Sequence, residues 1–132
     1  MTAITTTDEL TESSVTAALK RYEKLFAEGD IDTIVEDFTD DVEVRYAPLP
    51  PFTGKENLRK MLKERLANIR DYRLSKQVEV LSPPQFAASW TGSWTDATTG
   101  KEIQIFGLEI LTVRDGKFSR WSVSTSTWES DS

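Results

Sequence analysis

Three polar side chains in this sequence lie on apolar stripes, and they are the residues most able to do chemistry. Tyr22 continues the apolar spacing of an amphipathic helix, Tyr46 alternates with charged residues in a short strand, and Glu109 lies within a long apolar strand. Buried hydroxyls need hydrogen-bond partners, and a buried carboxylate is costly unless it is paired or protonated. Phenols and a carboxyl group that face one interior could bind a substrate oxygen and transfer a proton.

Composition narrows the possible chemistry. The chain has 132 residues with no histidine and no cysteine, which excludes histidine-based triads, thiol nucleophiles and metal sites built on thiolate or imidazole. Acid–base chemistry must therefore use carboxylates, tyrosines, lysines or arginines, and no cofactor is expected. A net charge of -6 without a basic face argues against nucleic-acid binding.

The sequence predicts one domain without a membrane segment. No apolar run approaches the length of a bilayer span, and the polar, acidic N-terminus resembles neither a signal peptide nor a transit peptide. We therefore expect a cytoplasmic protein that does not contact membranes. Residues 11–128 are predicted to form the domain, while residues 1–10 and 129–132 are predicted to be disordered.

Helical periodicity is confined to the first half of the chain. It predicts a helix over about residues 11–28 and a second helix over 31–38, separated by a glycine stop and an aspartate cap. A third helix is predicted up to Ile69, opened by a capping box of Thr53 and Glu56.

The second half of the chain alternates with a period of two. Strands are predicted at 42–46, 72–81, 85–95, 102–113 and 118–128, joined by turns rich in proline, glycine and aspartate. The expected fold is therefore α+β, with three N-terminal helices covering one face of a curved antiparallel sheet.

Several stretches resemble a known family. ALKRYEKLFAEGDIDTIVEDFTDDVEVRY, FTGKENLRKML and GLEILTVRDGKFSRWSV resemble the nuclear transport factor 2-like superfamily, and within it the branch of SnoaL-like polyketide cyclases and ketosteroid isomerases. The resemblance covers roughly residues 13–128. It implies a cone-shaped, strongly curved antiparallel sheet closed by helices around an apolar pocket, usually in a homodimer.

The resemblance also implies roles for individual residues. Ketosteroid isomerase uses a tyrosine and a protonated aspartic acid as an oxyanion hole, with a second aspartate as the base. The tyrosine corresponds to Tyr22 and the protonated carboxyl to Glu109, while Tyr46 stands where the family has its base. Because that base is missing, we do not expect a faithful steroid isomerase.

Two functions remain open from the sequence. The first is a cofactor-free isomerase, cyclase, dehydratase or hydrolase acting on a small apolar substrate with a carbonyl or hydroxyl group. Glu109 would move the proton, and Tyr22 and Tyr46 would donate hydrogen bonds to the substrate oxygen. The second is a non-catalytic protein that binds a small ligand in the same cone. Glu109 could also simply pair with an arginine such as Arg45 or Arg120, or lie at a dimer contact.

Aromatic and acidic residues have structural explanations as well. The predicted ligand-binding residues are Phe26, Trp90, Phe106 and Trp121. The tryptophans could equally plug the cone or a dimer interface. Asp37, Asp40 and Asp41 resemble a carboxylate cluster, but a surface turn with acidic caps explains them better than a metal site.

Overall fold

The computed structural model describes residues 10–130, so most of the predicted disordered ends lie outside the described residues. The helices are α1 (Glu12–Glu28), α2 (Ile31–Glu36) and α3 (Lys55–Leu66). The strands are β1 (Phe38–Ala47), β2 (Phe52–Thr53), β3 (Ile69–Ser82), β4 (Gln85–Asp96), β5 (Glu102–Arg114) and β6 (Lys117–Glu129). The α+β fold class and its N-terminal helices are confirmed.

The six strands form one mixed sheet in the order β2-β1-β6-β5-β4-β3. Every neighbouring pair is antiparallel except β1 and β6, which run parallel with Val44 opposite Trp121. The expectation of an entirely antiparallel sheet is therefore wrong for this pair. The reason is topological: β1 is separated from β6 by most of the chain, and such a long connection permits either direction.

Sequence signals explain the ends of the first two helices. Thr11 and Ser14 form a reciprocal capping box at the start of α1. Gly29 ends the helix with a φ of 68°, a conformation that glycine adopts at little cost. Asp30 then caps α2 by accepting a hydrogen bond from the Thr33 amide. No helix in the described part of the chain is long and apolar enough to cross a membrane.

Three predicted boundaries need correction. Phe38 begins β1 and is not part of α2, and Ile69 begins β3 and is not part of α3. Each of these apolar residues is the first residue of a strand and follows soon after a helix. Its position in the sequence also fits the apolar spacing of that helix, which is why the helix was predicted to extend to it. The cap of α3 is Gly54, with a φ of 99°, and the predicted capping box of Thr53 and Glu56 is absent from it.

The two faces of the sheet differ as the alternation predicts. Along β5, Ile105 and Glu109 are buried on the inner face, beneath the helices. Phe106, Leu108 and Ile110 are 42%, 51% and 49% exposed on the outer face. A groove of about 570 Å³ runs along this outer face, and its lining includes Leu108 and Ile110. The core therefore lies inside the cone, and the outer face keeps an apolar surface.

Gly107 offers a test of the packing inside the cone. It lies opposite Trp90, and a Cβ atom added there would be 2.3 Å from two atoms of the indole ring. Because Trp90 is buried, it has little room to shift. We expect Gly107→Ala to lower the free energy of unfolding by about 1–3 kcal/mol, measured by urea denaturation. The exposed Ser126→Ala substitution should change it by less than about 0.5 kcal/mol, and equal effects of the two variants would contradict this packing.

Candidate active site

Glu109 is the centre of the polar interior. It is 3% exposed on the inner face of β5, among apolar neighbours. Its Oε2 atom accepts a hydrogen bond from Lys76 Nζ at 2.8 Å, and its Oε1 atom accepts one from Trp121 Nε1 at 2.9 Å. The carboxylate is therefore paired on both oxygens, with a lysine and not with Arg45 or Arg120.

Lys76 is the buried charged partner of Glu109, and the sequence did not predict it. It lies on β3 with a side chain only 5% exposed, and its Nζ atom is 4.3 Å from the centre of the Trp90 ring. Its backbone amide also donates to Glu23 of α1 at 2.7 Å. The alternation of Tyr72, Leu74 and Lys76 on one strand face was the available signal. Lysine is rarely buried unless it is paired, so its polarity alone predicts that Lys76 is exposed to solvent.

Tyr22 belongs to a second polar cluster. Its hydroxyl donates to Asp37 Oδ2 at 2.5 Å, and Arg21 bonds the same carboxylate. Asp37 is 5% exposed, so the explanation of it as a surface turn residue is wrong. Asp37 lies directly after α2, and its hydrogen bond to Tyr22 connects this position to α1. Burial and the nearby Asp37 charge raise the pKa of Tyr22 well above its usual value, so the phenol stays protonated near neutrality.

Tyr46 lies on the inner face of β1 with a different cation. The Arg65 guanidinium carbon is 4.7 Å from the centre of the Tyr46 ring. Trp121 packs edge-on against the same ring, at a centroid distance of 5.4 Å. Burial raises the pKa of Tyr46 and Arg65 opposes that shift, so this phenol is also a neutral hydrogen-bond donor.

Two small cavities occupy the interior of the cone, each of about 20 Å³. The first is lined by Tyr22 and Glu109, and the second by Tyr46. Lys76, Phe26 and Trp121 line both, so they lie between the two spaces. Each volume is close to that of a single water-sized probe, so a larger ligand requires side chains to move.

The three predicted catalytic residues are therefore divided between the two cavities, with Glu109 near the partition. Among the predicted ligand-binding residues, Phe26, Trp90 and Trp121 line the interior. Phe106 does not, because the period of two places it on the outer face of β5. Its assignment to the interior pocket is corrected.

The arrangement supplies a base and proton donors without a metal. Glu109 is a carboxylate in apolar surroundings, and the Lys76 ammonium beside it is a cation able to stabilise a developing oxyanion. Within residues 10–130, no group of three or more acidic side chains is placed to hold a metal ion. The interior can therefore support proton transfer to and from carbon or oxygen.

Comparison with known proteins identifies the family. Residues 19–121 match the model of the SnoaL-like domain, and the chain belongs to this family. No curated protein matches the chain.

Solved structures share the fold at low sequence identity. A putative isomerase from Bacillus subtilis superimposes with a TM-score of 0.72 at 15% identity, covering 82% of this chain and 83% of its own. The epoxide hydrolase/cyclase-like enzyme SalBIII, described in pyran ring formation in the polyether salinomycin, gives 0.73 at 17% identity, with 92% and 99% covered. An LEH-like epoxide hydrolase from M. tuberculosis gives 0.67 at 13% identity, with 83% and 80% covered. At these identities the likeness shows the fold.

The ion pair makes a prediction about stability. Lys76→Met leaves the Glu109 carboxylate buried without its cation, and we expect a loss of about 3–5 kcal/mol in the free energy of unfolding. Adding Glu109→Gln removes the charge but keeps an oxygen for Trp121 Nε1, so the double variant should regain much of that loss.

The measurement is a double-mutant cycle from urea denaturation of the wild type, both single variants and the double variant. A coupling energy near zero would show that Lys76 and Glu109 do not interact in solution.

Proposed function

We propose that this protein is a cofactor-independent isomerase or cyclase that acts on a small apolar substrate carrying a carbonyl or hydroxyl oxygen. One observation carries the proposal: the Glu109 carboxylate is buried inside an apolar cone, 2.8 Å from the Lys76 ammonium, and lines an interior cavity. A carboxylate and an ammonium in such a place can remove a proton and stabilise the charge that results.

Stability alone is a poor explanation for this pair. Removing two charges from water costs several kcal/mol per ion, and apolar residues of similar volume are often as stabilising or more so. The rest of the inner face of β5 is apolar, as Ile105, Leu111 and Val113 show. A charged pair at this position therefore suggests chemistry, because stability does not require it there.

The proposed reaction moves one proton within the substrate. Glu109 takes a proton from a carbon next to a carbonyl, or from a hydroxyl group, and Lys76 donates a hydrogen bond to the oxygen that becomes negative. Glu109 then returns the proton at a different atom. In the cyclising version, the deprotonated oxygen attacks a carbon of an epoxide in the same molecule. The C–O bond of the epoxide at that carbon breaks, and Glu109 gives the proton to the epoxide oxygen, which stays attached to the neighbouring carbon. Substrate and product contain the same atoms in both versions.

Substrate binding requires Lys76 to move. Its side chain lies between the two cavities, together with Phe26, and both cavities are too small for a substrate while it stays there. A lysine has four flexible side-chain bonds, so its ammonium can turn from Glu109 to a substrate oxygen. That movement would join the cavities and free one oxygen of Glu109 to act as the base.

The structural neighbours support the class of reaction. The named activities among them are an isomerase, an epoxide hydrolase and an enzyme resembling both hydrolases and cyclases. A non-catalytic protein that stores a small ligand in the cone would use the same apolar walls. It would have no need of the paired charges, and that difference can be tested.

Proton transfer can be followed without the natural substrate. Small cyclic ketones incubated with the protein in heavy water should exchange the protons beside the carbonyl faster than in buffer, as monitored by NMR. Glu109→Gln should lower the enzyme-dependent exchange by at least about 100-fold, because a positioned general base contributes on the order of 10²–10⁴. Glu102→Gln, an exposed position on the same strand, should exchange as the wild type does. Ketones that bind with exchange at the buffer rate would support the non-catalytic protein.

We also propose that a second copy of the chain covers the outer face of the sheet. Neighbouring strands contribute paired residues to one row across this face. In order from β1 to β3, the row contains Arg45, Ser122, Ile110, Ala87 and the β-bulge with Glu79. A two-fold axis along the central strand β5 would set β1 of one copy against β3 of the other. Arg45 of one copy would then meet Glu79 of the other, with Ser122, Ile110 and Ala87 between these ends.

Charge exchange tests this interface. Arg45→Glu should place two anions together and shift the protein from dimer to monomer at micromolar concentrations, as measured by sedimentation equilibrium. The double variant Arg45→Glu/Glu79→Arg should restore the dimer, because the attraction returns with reversed signs. A monomeric wild type, or a double variant no more dimeric than the single one, would contradict this arrangement.

A further inference from the structure

The second cavity of the cone is lined by hydrogen-bond donors and apolar groups. The lining residues with polar side-chain atoms are Arg65, Tyr46, Tyr72, Lys76, Trp90 and Trp121. Two of them, Lys76 and Trp121, already donate to Glu109. Among the described residues that line it, there is no carboxyl group, side-chain amide or aliphatic hydroxyl. A wall of this kind is complementary to a ligand that accepts hydrogen bonds.

Arg65 has no ion-pair partner among the described residues. None of the ion pairs among residues 10–130 includes it, whereas the other cation of the cavity, Lys76, is paired with Glu109. Arg65 is half-buried in the last turn of α3, with its guanidinium over the Tyr46 ring. Partial burial of an unneutralised charge is unfavourable, so an anionic partner would relieve it.

Trp90 provides a second, independent observation. It is 4% exposed, and its indole nitrogen is a buried donor with no hydrogen-bond partner among the described residues. Such unsatisfied donors are rare in folded proteins. The two phenols are donors as well, since burial raises the pKa of both Tyr46 and Tyr72. The lining of the cavity therefore includes an arginine without an ion-pair partner, and a tryptophan whose buried indole N–H lacks an acceptor, among residues 10–130.

We infer that the second cavity binds a carboxylate of the substrate, with Arg65 as the charged anchor and Tyr46 and Tyr72 as supporting donors. This inference rests on the proposed function, and it specifies the substrate as a small apolar carboxylic acid. The carboxylate lies at the Arg65 end, and the carbonyl or hydroxyl oxygen that reacts lies at the Glu109 end. Lys76 lies between the two ends, since its side chain lines both cavities.

A planar carboxylate suits this end of the cone. Guanidinium groups bind carboxylates through paired, charge-assisted hydrogen bonds, which are stronger than neutral ones. The apolar walls contributed by Leu62, Leu66 and Leu74 would then cover the rest of the ligand. A ligand anchored in this way presents its distal oxygen toward the charged pair.

Arg65 also has a structural explanation. Cations are favoured in the last turn of a helix by the helix dipole, and Arg65 lies in the last turn of α3. A purely structural role predicts that Arg65→Gln lowers stability without changing any binding preference. Binding and stability must therefore be measured on the same variants.

The experiment compares carboxylates with their neutral amides. Cyclohexanecarboxylate and 4-phenylbutanoate are titrated into the protein against cyclohexanecarboxamide and 4-phenylbutanamide. Binding is followed by the indole N–H signals of Trp90 and Trp121 in proton–nitrogen correlation spectra. Wild type should bind at least one carboxylate more tightly than its amide by about tenfold or more, the effect of a lost charge-assisted hydrogen bond. Arg65→Gln should abolish the preference and leave amide binding unchanged.

Two controls separate the possible failures. Arg59→Gln changes an arginine on the same helix that is already paired with Asp32 and Glu56, and it should keep the preference. Glu109→Gln should keep it too, because Glu109 does not line the second cavity. If the wild type prefers carboxylates but does not accelerate ketone exchange, the proposed function alone is overturned. Equal binding of acid and amide by wild type, no binding of any probe, or a preference that persists in Arg65→Gln would each overturn the carboxylate site.

Discussion

The interior of this protein depends on the ion pair between Lys76 and Glu109. The pair joins β3 to β5 across the intervening strand β4, and the Trp121 indole extends the contact to β6. Because charges inside an apolar cone must be paired, each of these strands is constrained by the others. Lys76 also lines both cavities, together with Phe26 and Trp121. The pair therefore bears on the stability of the interior and, in our proposal, on the space that a ligand can enter.

Much of the scaffold could be predicted from apolar spacing, because burial imposes a period of two on strands and of about 3.6 on helices. That reasoning placed Glu109 on the inner face and Tyr22 on the buried side of α1, and both are confirmed by their burial. The same reasoning could not predict that Lys76 and Asp37 are buried. A charged side chain is buried only when it has a partner, and these partners are distant in sequence. The parallel pairing of β1 with β6 was missed for the same reason. Long-range pairing depends on the whole topology, whereas local periodicity describes one element at a time.

Two groups of charged residues in the interior differ in how fully their charges and hydrogen bonds are satisfied. Asp37 is satisfied by Tyr22 and Arg21 near the N-terminal end of β1, which leaves that cluster complete. The second cavity is different: within residues 10–130, its Arg65 has no ion-pair partner and the indole N–H of its Trp90 has no acceptor. Buried polar groups whose hydrogen bonds and charges are satisfied within the protein stabilise its fold. Groups that lack a partner favour binding of a ligand that supplies one. This contrast suggests that Tyr22 has a larger part in structure and Tyr46 a larger part in binding.

A crystal structure of the protein with cyclohexanecarboxylate, or with a keto acid of similar size, would test the central claim most directly. We expect the ligand inside the cone, with its carboxylate against Arg65 and with the Lys76 side chain displaced so that the two cavities join. A keto acid should also place its carbonyl oxygen within hydrogen-bond distance of Lys76 Nζ. Ligand found only in the groove on the outer face, with Lys76 and Glu109 still paired, would contradict the role of the interior as the binding and proton-transfer site.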